Sequence, residues 1–129
     1  MKTFTKAEVE FINNGVDQLH QHVDDMLDIY GRITKDYNHE QECLESYEIY
    51  DHENCLHILT RDMVNYNNMD RITLPLDYFY MSEDELTYTI QSKFDLEQAE
   101  KAERARLKSM VRLREERDQY EKLKEKFGD

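Results

Sequence analysis

Side chains that could do chemistry are concentrated in the segment 52–57, whose sequence is His-Glu-Asn-Cys-Leu-His, with Cys43 a short distance before it. Thiolate and imidazole are the ligands that zinc prefers, so these two cysteines and two histidines could bind that ion. The spacing does not favour it, because there is no Cys-x-x-Cys pair. His52 and His57 are five apart, which puts them about 140° apart on a helix and on opposite faces of a strand. We therefore expect half-buried thiols at Cys43 and Cys55, histidines in or near a turn, and neither metal nor cofactor.

Other catalytic patterns are weaker still. Acid groups at Asp24-Asp25 and at residues 83–85 could serve acid–base catalysis only in a pocket that shifts their pKa values. The three scattered glycines cannot build a phosphate-binding loop. His20 and His22 are two apart and off the apolar stripe, so we expect both to be solvated. The sequence predicts a protein that is not an enzyme.

The charge is unevenly distributed. Residues 1–93 contain 7 Lys/Arg and 19 Asp/Glu, a net of −12, whereas residues 94–129 contain 10 of each. An acidic body repels nucleic acid and anionic membranes and attracts basic partners. The attraction steers the approach of such a partner, and salt weakens this effect by screening the charges. We therefore expect a basic protein partner, no direct nucleic acid and no membrane.

The composition indicates one domain inside a cell. A chain of 129 residues can form a single modest core. The first residues lack the apolar run of a signal peptide, no segment is long and apolar enough for a membrane span, and two cysteines do not make a disulfide framework. These features predict a cytoplasmic protein with reduced thiols.

A long helix is predicted over about residues 5–36. Thr5 and Glu8 have the spacing of a capping box. Apolar residues then recur at alternating steps of three and four, which is typical of a helix–helix seam and favours a homo-oligomer, a dimer first. The seam positions are Val9, Ile12, Val16, Leu19, Val23, Met26, Tyr30 and Ile33.

The middle of the chain changes to a period of two. Alternation predicts a β-hairpin that pairs residues 43–50 with 55–61 across a polar turn. A third strand is expected over residues 72–76, at a sheet edge because Pro75 has no N–H to donate.

The last third is predicted to be helical. Ser82 and Glu85 form a second capping box that opens a short helix with an apolar face, and a separate, long Glu/Lys/Arg-rich helix follows it to about residue 126, where Gly128 ends it. The fold class is thus α+β and mostly helical, with residues 1–129 as one domain made of an acidic body (1–93) and a charge-balanced helical tail (94–129).

Residues 42–128 resemble small proteins of tailed bacteriophages in composition and in the order of their segments. The shared features are the apolar-Pro-x-x-Tyr segment at residues 72–79, the acidic helix start at 82–86 and the charged end at 120–128. The resemblance implies a phage accessory protein, located in the cytoplasm of the host bacterium. This class includes inhibitors of host defence systems. It supplies no catalytic residue.

The main hypothesis is a binding protein that presents an acidic, tyrosine-rich surface to a basic site that nucleic acid would otherwise occupy. Acids would supply the association rate, and buried aromatics most of the affinity. Two alternatives remain open: a helical homo-oligomeric scaffold, and a protein that sequesters a small ligand or metal between subunits. The expected contact residues are Asp17, Asp24, Asp25, Asp28, Glu45, Tyr47, Glu48, Tyr50, Asp51, Glu53 and Tyr78.

Overall fold

The chain forms two long helices and a three-stranded antiparallel sheet, which confirms the predicted mostly helical α+β class. The computed structural model describes Met1 and residues 3–128. Contacts divide the chain into two units, Met1–Gln91 and Ser92–Asp129. In chain order the elements are α1 (Lys6–Thr34), β1 (Glu42–Tyr50), a 3₁₀ turn (Asp51–Glu53), β2 (Cys55–Asp62), β3 (Met69–Pro75), a second 3₁₀ turn (Leu76–Tyr80) and α2 (Glu83–Phe127).

The ends of α1 follow from local hydrogen bonding. Thr5 is the N-cap, since its hydroxyl accepts the Glu8 amide at 3.2 Å. At the other end Lys35 adopts a left-handed conformation, and its N–H donates to the Gly31 carbonyl at 3.0 Å. The chain then folds back so that Tyr37 lies against Gly31, where a Cβ would collide with the Tyr37 carbonyl oxygen. The helix therefore ends at Thr34, two residues before the predicted end.

The sheet has the order β1-β2-β3, with β2 in the centre. The predicted hairpin is confirmed to within one residue at each strand end. Pro75 is the last residue of β3, at the edge of the sheet as predicted, although β3 begins at Met69, three residues earlier than expected. In the first hairpin Tyr50 pairs with Cys55, and the pairing register shifts between Leu44 and Ser46, which marks a β-bulge in β1.

The core lies between α1 and one face of the sheet. Alternate residues of β2, Leu56, Ile58 and Thr60, are buried on this inner face. Leu86 and Ile90 of α2 complete the same cluster of buried residues, to which α1 contributes Val23, Met26, Leu27 and Ile29. The other face of the sheet, called here the outer face, carries the intervening residues of β2.

The α1 seam is divided into two halves. In the second half Val23 and Met26 are buried, and Tyr30 and Ile33 pack against the core. In the first half the stripe remains in solvent, with exposed fractions of 43–53%. We call this first half, Val9, Ile12, Val16 and Leu19, the exposed half-seam.

The helix α2 is a single element of 45 residues. We expected a short helix followed by a separate charged helix, and that division is wrong. Ser82 caps the start by accepting the Glu85 amide at 3.2 Å, as the second capping box predicts. Gly128 has φ +74°, and its N–H donates to the Lys124 carbonyl at 3.1 Å, which confirms the predicted C-terminal glycine cap. Continuity follows from the strong helix propensity of the residues after Asp95, which replaces the lost apolar face.

Candidate functional site

Three potential ligand side chains meet on the outer face, next to the turn between β1 and β2. Cys55 and His57 are two apart on β2, so both project from the outer face, opposite the buried Leu56 and Ile58. Glu53 comes from the preceding 3₁₀ turn. Asn54 joins the two segments in a left-handed conformation, φ 51°, which asparagine tolerates better than most residues. Its carbonyl accepts the Leu76 amide at 2.8 Å, which fixes the turn beside the end of β3.

The three ligand atoms form a small triangle. Cys55 Sγ lies 3.2 Å from His57 Nε2 and 3.5 Å from Glu53 Oε2. His57 Nε2 lies 3.6 Å from Glu53 Oε2, and the side chains of His57 and Glu53 are 23% and 66% exposed. In the described part of the chain this is the one group of three or more His, Cys, Asp or Glu residues with ligand atoms close enough to share a metal ion.

The imidazole of His57 is held from two further directions. Its Nδ1 is 3.1 Å from the hydroxyl of Thr73, the residue opposite it on β3. The ring of Tyr50 packs edge-on against it, with centroids 4.5 Å apart. Tyr50 in turn donates to Glu48 Oε2 at 2.5 Å. These contacts orient Nε2 toward Cys55 and Glu53.

The cluster does not have the electrostatics of a nucleophilic thiol. Desolvation, followed by the hydrogen bond and charge of Glu53, raises the pKa of the Cys55 thiol. Reactive cysteines need the opposite shift, which a nearby positive charge supplies. A metal cation would supply that charge, and Cys, His and Glu are all zinc ligands. Of the four residues that the sequence suggested for metal binding, the structure brings together only Cys55 and His57.

Cys43 and His52 lie outside the cluster. Cys43 pairs with Arg61, six residues along β2 from Cys55 and so about 20 Å away. His52 is exposed in the 3₁₀ turn. Glu53 takes part instead, and it had been considered only as a partner-binding acid.

A second feature is a groove of about 360 Å³ beside the second half of α1, which we call the α1 groove. Its apolar lining is Met26, Ile29, Met81 and Leu86, and its polar lining is His22, Asp25, Asp28, Arg32 and Glu83. Asp28 is already engaged, by Arg32 Nε and His39 Nδ1, both at 3.3 Å. Asp25 accepts one hydrogen bond, from Gln21 Nε2 at 2.8 Å.

The predicted acidic surface is not a single surface. Asp17, Asp24, Asp25 and Asp28 lie on α1 away from its apolar stripe, because they fall at heptad positions opposite the seam. Glu48 and Glu53 belong to the outer sheet face and its turn, together with Tyr50 and Asp51. Because α1 packs on the inner face of the sheet, these two acid groups lie on opposite sides of the first unit.

Three predicted contact residues are buried or already paired within the chain. Tyr78 is buried in the core, and Tyr47 is half-buried on the inner face opposite Ile58. Neither can act as an exposed aromatic anchor. Glu45 is already paired, since both of its carboxylate oxygens accept from Arg61 at 3.1 Å, which lowers the pKa of Glu45.

His22 has a role that the sequence did not indicate. We expected it to be solvated, but its Nε2 lies 2.7 Å from the Phe79 carbonyl, and its ring packs edge-on against the Phe79 ring at 4.8 Å. It thereby ties α1 to the second 3₁₀ turn. No sequence signal distinguishes it from His20, because the partner is 57 residues away.

The fold and its sites thus define a mostly helical α+β protein with an acidic groove and a separate ligand cluster. Comparison with protein-family models, curated proteins and solved structures finds no match to this chain. Among the described residues, no helix is long and apolar enough to cross a membrane.

Proposed function

We propose that this chain is a non-enzymatic binding protein that takes a basic side chain of a partner protein into the α1 groove. The observation that carries the proposal is an acidic rim beside a half-buried apolar side chain. Met81, which lines the groove, can cover the aliphatic stem of an arginine or lysine. Asp25 and Glu83 can then accept from its charged end.

The wider charge distribution supports this assignment. The first unit, residues 1–91, carries 19 Asp/Glu against 6 Lys/Arg, a net of −13. Such a field accelerates the approach of a basic partner, and contacts in the groove then determine the geometry of the complex. Asp17 and Asp24, on the same helix, extend the acidic surface beyond the groove.

The class of partner follows from the same chemistry. A protein site lined by arginine or lysine is commonly one that binds phosphates, so occupation by this chain would exclude nucleic acid. The resemblance to phage accessory proteins is consistent with inhibition of a host defence system that targets nucleic acid. The chain itself would not bind nucleic acid.

Two double variants of equal charge separate the groove from the general field. D25N/E83Q neutralises the groove rim, whereas E10Q/D51N neutralises two exposed acids outside it. We expect D25N/E83Q to weaken binding of a labelled arginine-rich peptide about tenfold, at about 0.7 kcal/mol per partly exposed pair, and E10Q/D51N to weaken it clearly less. Equal losses in the two variants, or affinity independent of salt, would refute a specific site.

The exposed half-seam favours a second function, dimerisation of the chain. Its four apolar side chains follow the alternating spacing of three and four residues that a helix–helix seam requires. Among the helix positions that flank this exposed stripe, Glu8 is the one acidic residue. The other acids of α1 lie on the far side of the helix. Two copies of a chain with net charge −12 can therefore meet along this stripe without opposing carboxylates.

The second copy is expected to be antiparallel. The seam beyond Leu19 is covered by the chain's own sheet, so a parallel partner helix would collide with that sheet. In an antiparallel pair, Val9 meets Leu19 of the second copy and Ile12 meets Val16. Gly15 lies next to the centre of this overlap, where an added Cβ would meet no other side chain or element within 4 Å.

Sedimentation of full-length protein tests the dimer. V16E places a charge in the stripe, while N14E places the same charge on the opposite side of α1. We expect wild type and N14E to be dimers and V16E to be a monomer. A wild type that is monomeric over the accessible concentration range, or a V16E variant that still dimerises, would eliminate this function.

A further inference from the structure

The ligand cluster on the outer face has the dimensions of a metal site. In tetrahedral zinc sites the ions lie about 2.3 Å from sulfur and about 2.0–2.2 Å from nitrogen or oxygen, so neighbouring ligand atoms are about 3.4–3.6 Å apart. The corresponding distances are 3.2 Å (Cys55 Sγ to His57 Nε2), 3.5 Å (Cys55 Sγ to Glu53 Oε2) and 3.6 Å (His57 Nε2 to Glu53 Oε2). The three distances therefore come within about 0.4 Å of the edges of one face of a coordination tetrahedron.

The hydrogen bonds around the cluster are compatible with coordination. The Thr73 hydroxyl lies 3.1 Å from His57 Nδ1 and can accept the Nδ1 hydrogen, which leaves the lone pair of Nε2 for a metal ion. In that tautomer the one S–H of Cys55 can serve Nε2 or Glu53 but not both, and a cation between Nε2 and the carboxylate, 3.6 Å apart, would satisfy both.

The donor set selects the metal. Thiolate and imidazole favour zinc over magnesium or calcium, which prefer oxygen ligands. A thiolate and a carboxylate together also neutralise a divalent ion. Three protein ligands leave a fourth position for water or for an atom of a bound molecule, and the exposure of Glu53 leaves that position open to solvent.

We propose that Glu53, Cys55 and His57 bind one zinc ion per chain in a three-ligand site with an open fourth position. Thr73 and Tyr50 are positioning residues. The hydroxyl of Thr73 can accept the Nδ1 hydrogen of the tautomer that presents Nε2, and the ring of Tyr50 fixes the plane of the imidazole. The α1 groove is formed by other residues, so this inference stands or falls independently of the proposed binding function.

The chain supplies matched controls for the test. Full-length protein, freed of metal by a chelator, is titrated with zinc chloride against a chromophoric competitor, and with cobalt(II) to detect a thiolate charge-transfer band. The ligand variants are E53Q, C55S and H57Q. H52Q removes the neighbouring histidine of the same turn, and C43S removes the other cysteine about 20 Å away on the same face.

We expect wild type, H52Q and C43S to bind one zinc ion with the same affinity. Each ligand variant should weaken binding at least tenfold, C55S should abolish the cobalt–thiolate band, and T73V should weaken binding about 10- to 100-fold without changing the stoichiometry. The exposed Glu53 can be changed without disturbing the core, so E53Q keeps the test valid if H57Q does not fold. Absence of zinc binding by wild type, undiminished binding by E53Q or C55S, or equal losses in H52Q would overturn the proposal.

Discussion

Two leucines of α1, eight residues apart, should lose very different amounts of folding free energy on the same substitution to alanine. Leu27 is 0% exposed in the core, whereas Leu19 is 43% exposed in the exposed half-seam. Leu27→Ala removes buried methyl groups and leaves a cavity, which costs about 3–5 kcal/mol. That is a large share of the about 5–15 kcal/mol by which such a domain is stable. Leu19→Ala should cost the isolated chain about 1 kcal/mol or less, because the side chain is already nearly half in water.

Urea unfolding followed by far-ultraviolet circular dichroism measures both variants. At low protein concentration, L27A should shift the midpoint strongly and L19A only slightly. At high concentration the midpoint of wild type should rise through dimerisation, and L19A should lose that rise. If L19A destabilises the dilute protein as much as L27A does, the first half of α1 is packed within its own chain and the account of a divided seam is wrong.

Three further predictions concern local structure. G31A should destabilise the chain by about 1–3 kcal/mol, because its Cβ would strike the Tyr37 carbonyl, whereas G15A, with open space around the new Cβ, should stabilise it by about 1 kcal/mol. Desolvation, then nearby acids, raises the pKa of Tyr37 from 10.0 to about 12. The folded state therefore holds this proton more tightly, and wild type should lose about 1–2 kcal/mol relative to Y37F as the pH rises from about 10 to about 12. S82A should cost about 1 kcal/mol by leaving the Glu85 amide without its acceptor.

Urea midpoints decide each of these cases. A G31A variant as stable as G15A would contradict the close approach of Tyr37. Parallel pH profiles for wild type and Y37F would contradict the raised pKa. An S82A variant with unchanged stability would mean that the Ser82 cap is replaced by water at no cost.

The parts of the fold that were predictable depend on local signals. The two capping boxes placed both helix starts, since Ser or Thr followed by Glu three residues later satisfies amide groups within a single turn. The hairpin was predictable because a period of two over residues 43–50 and 55–61 leaves one face for the core. Gly31 was not predictable as an essential glycine, because the obstacle is a carbonyl oxygen that approaches only after the chain has turned at Lys35.

The divided use of α1 could have been found in the pattern itself. Over Val9–Leu19 the apolar residues other than the exposed Phe11 keep to two positions per heptad, the narrow stripe of a helix–helix seam. In the second half Leu27 and Ile29 add apolar positions on both sides of the stripe, and both are buried. A wider stripe is typical of a helix that packs on its own domain. The two halves of α1 therefore differ in the width of the apolar stripe and not in its length.

The candidate metal ligands were missed for a related reason. The spacings of zinc fingers and metalloproteases concern cysteines and histidines, and these spacings do not occur in the segment 52–57. They also leave out carboxylates such as Glu53. Glu53, Cys55 and His57 follow a step of two, the period of a strand, which brings alternate residues to one face. Counting carboxylates and applying the strand period to the hairpin would have selected these three and discarded Cys43 and His52.

The two faces of the central strand β2 have different roles, since one packs in the core and the other carries the candidate metal ligands. Leu56 and Ile58 face the core, and Cys55 and His57 between them face solvent. Since one set determines stability and the other could determine ligand binding, conservative substitutions at the outer positions should leave the free energy of unfolding of metal-free protein within about 0.5 kcal/mol. If zinc binds at these positions, the same excess of zinc should stabilise wild type by at least about 1 kcal/mol more than E53Q, because a ligand that binds only the folded state adds its binding free energy to the stability. Equal stabilisation of both proteins by zinc would place the ion elsewhere on the acidic surface.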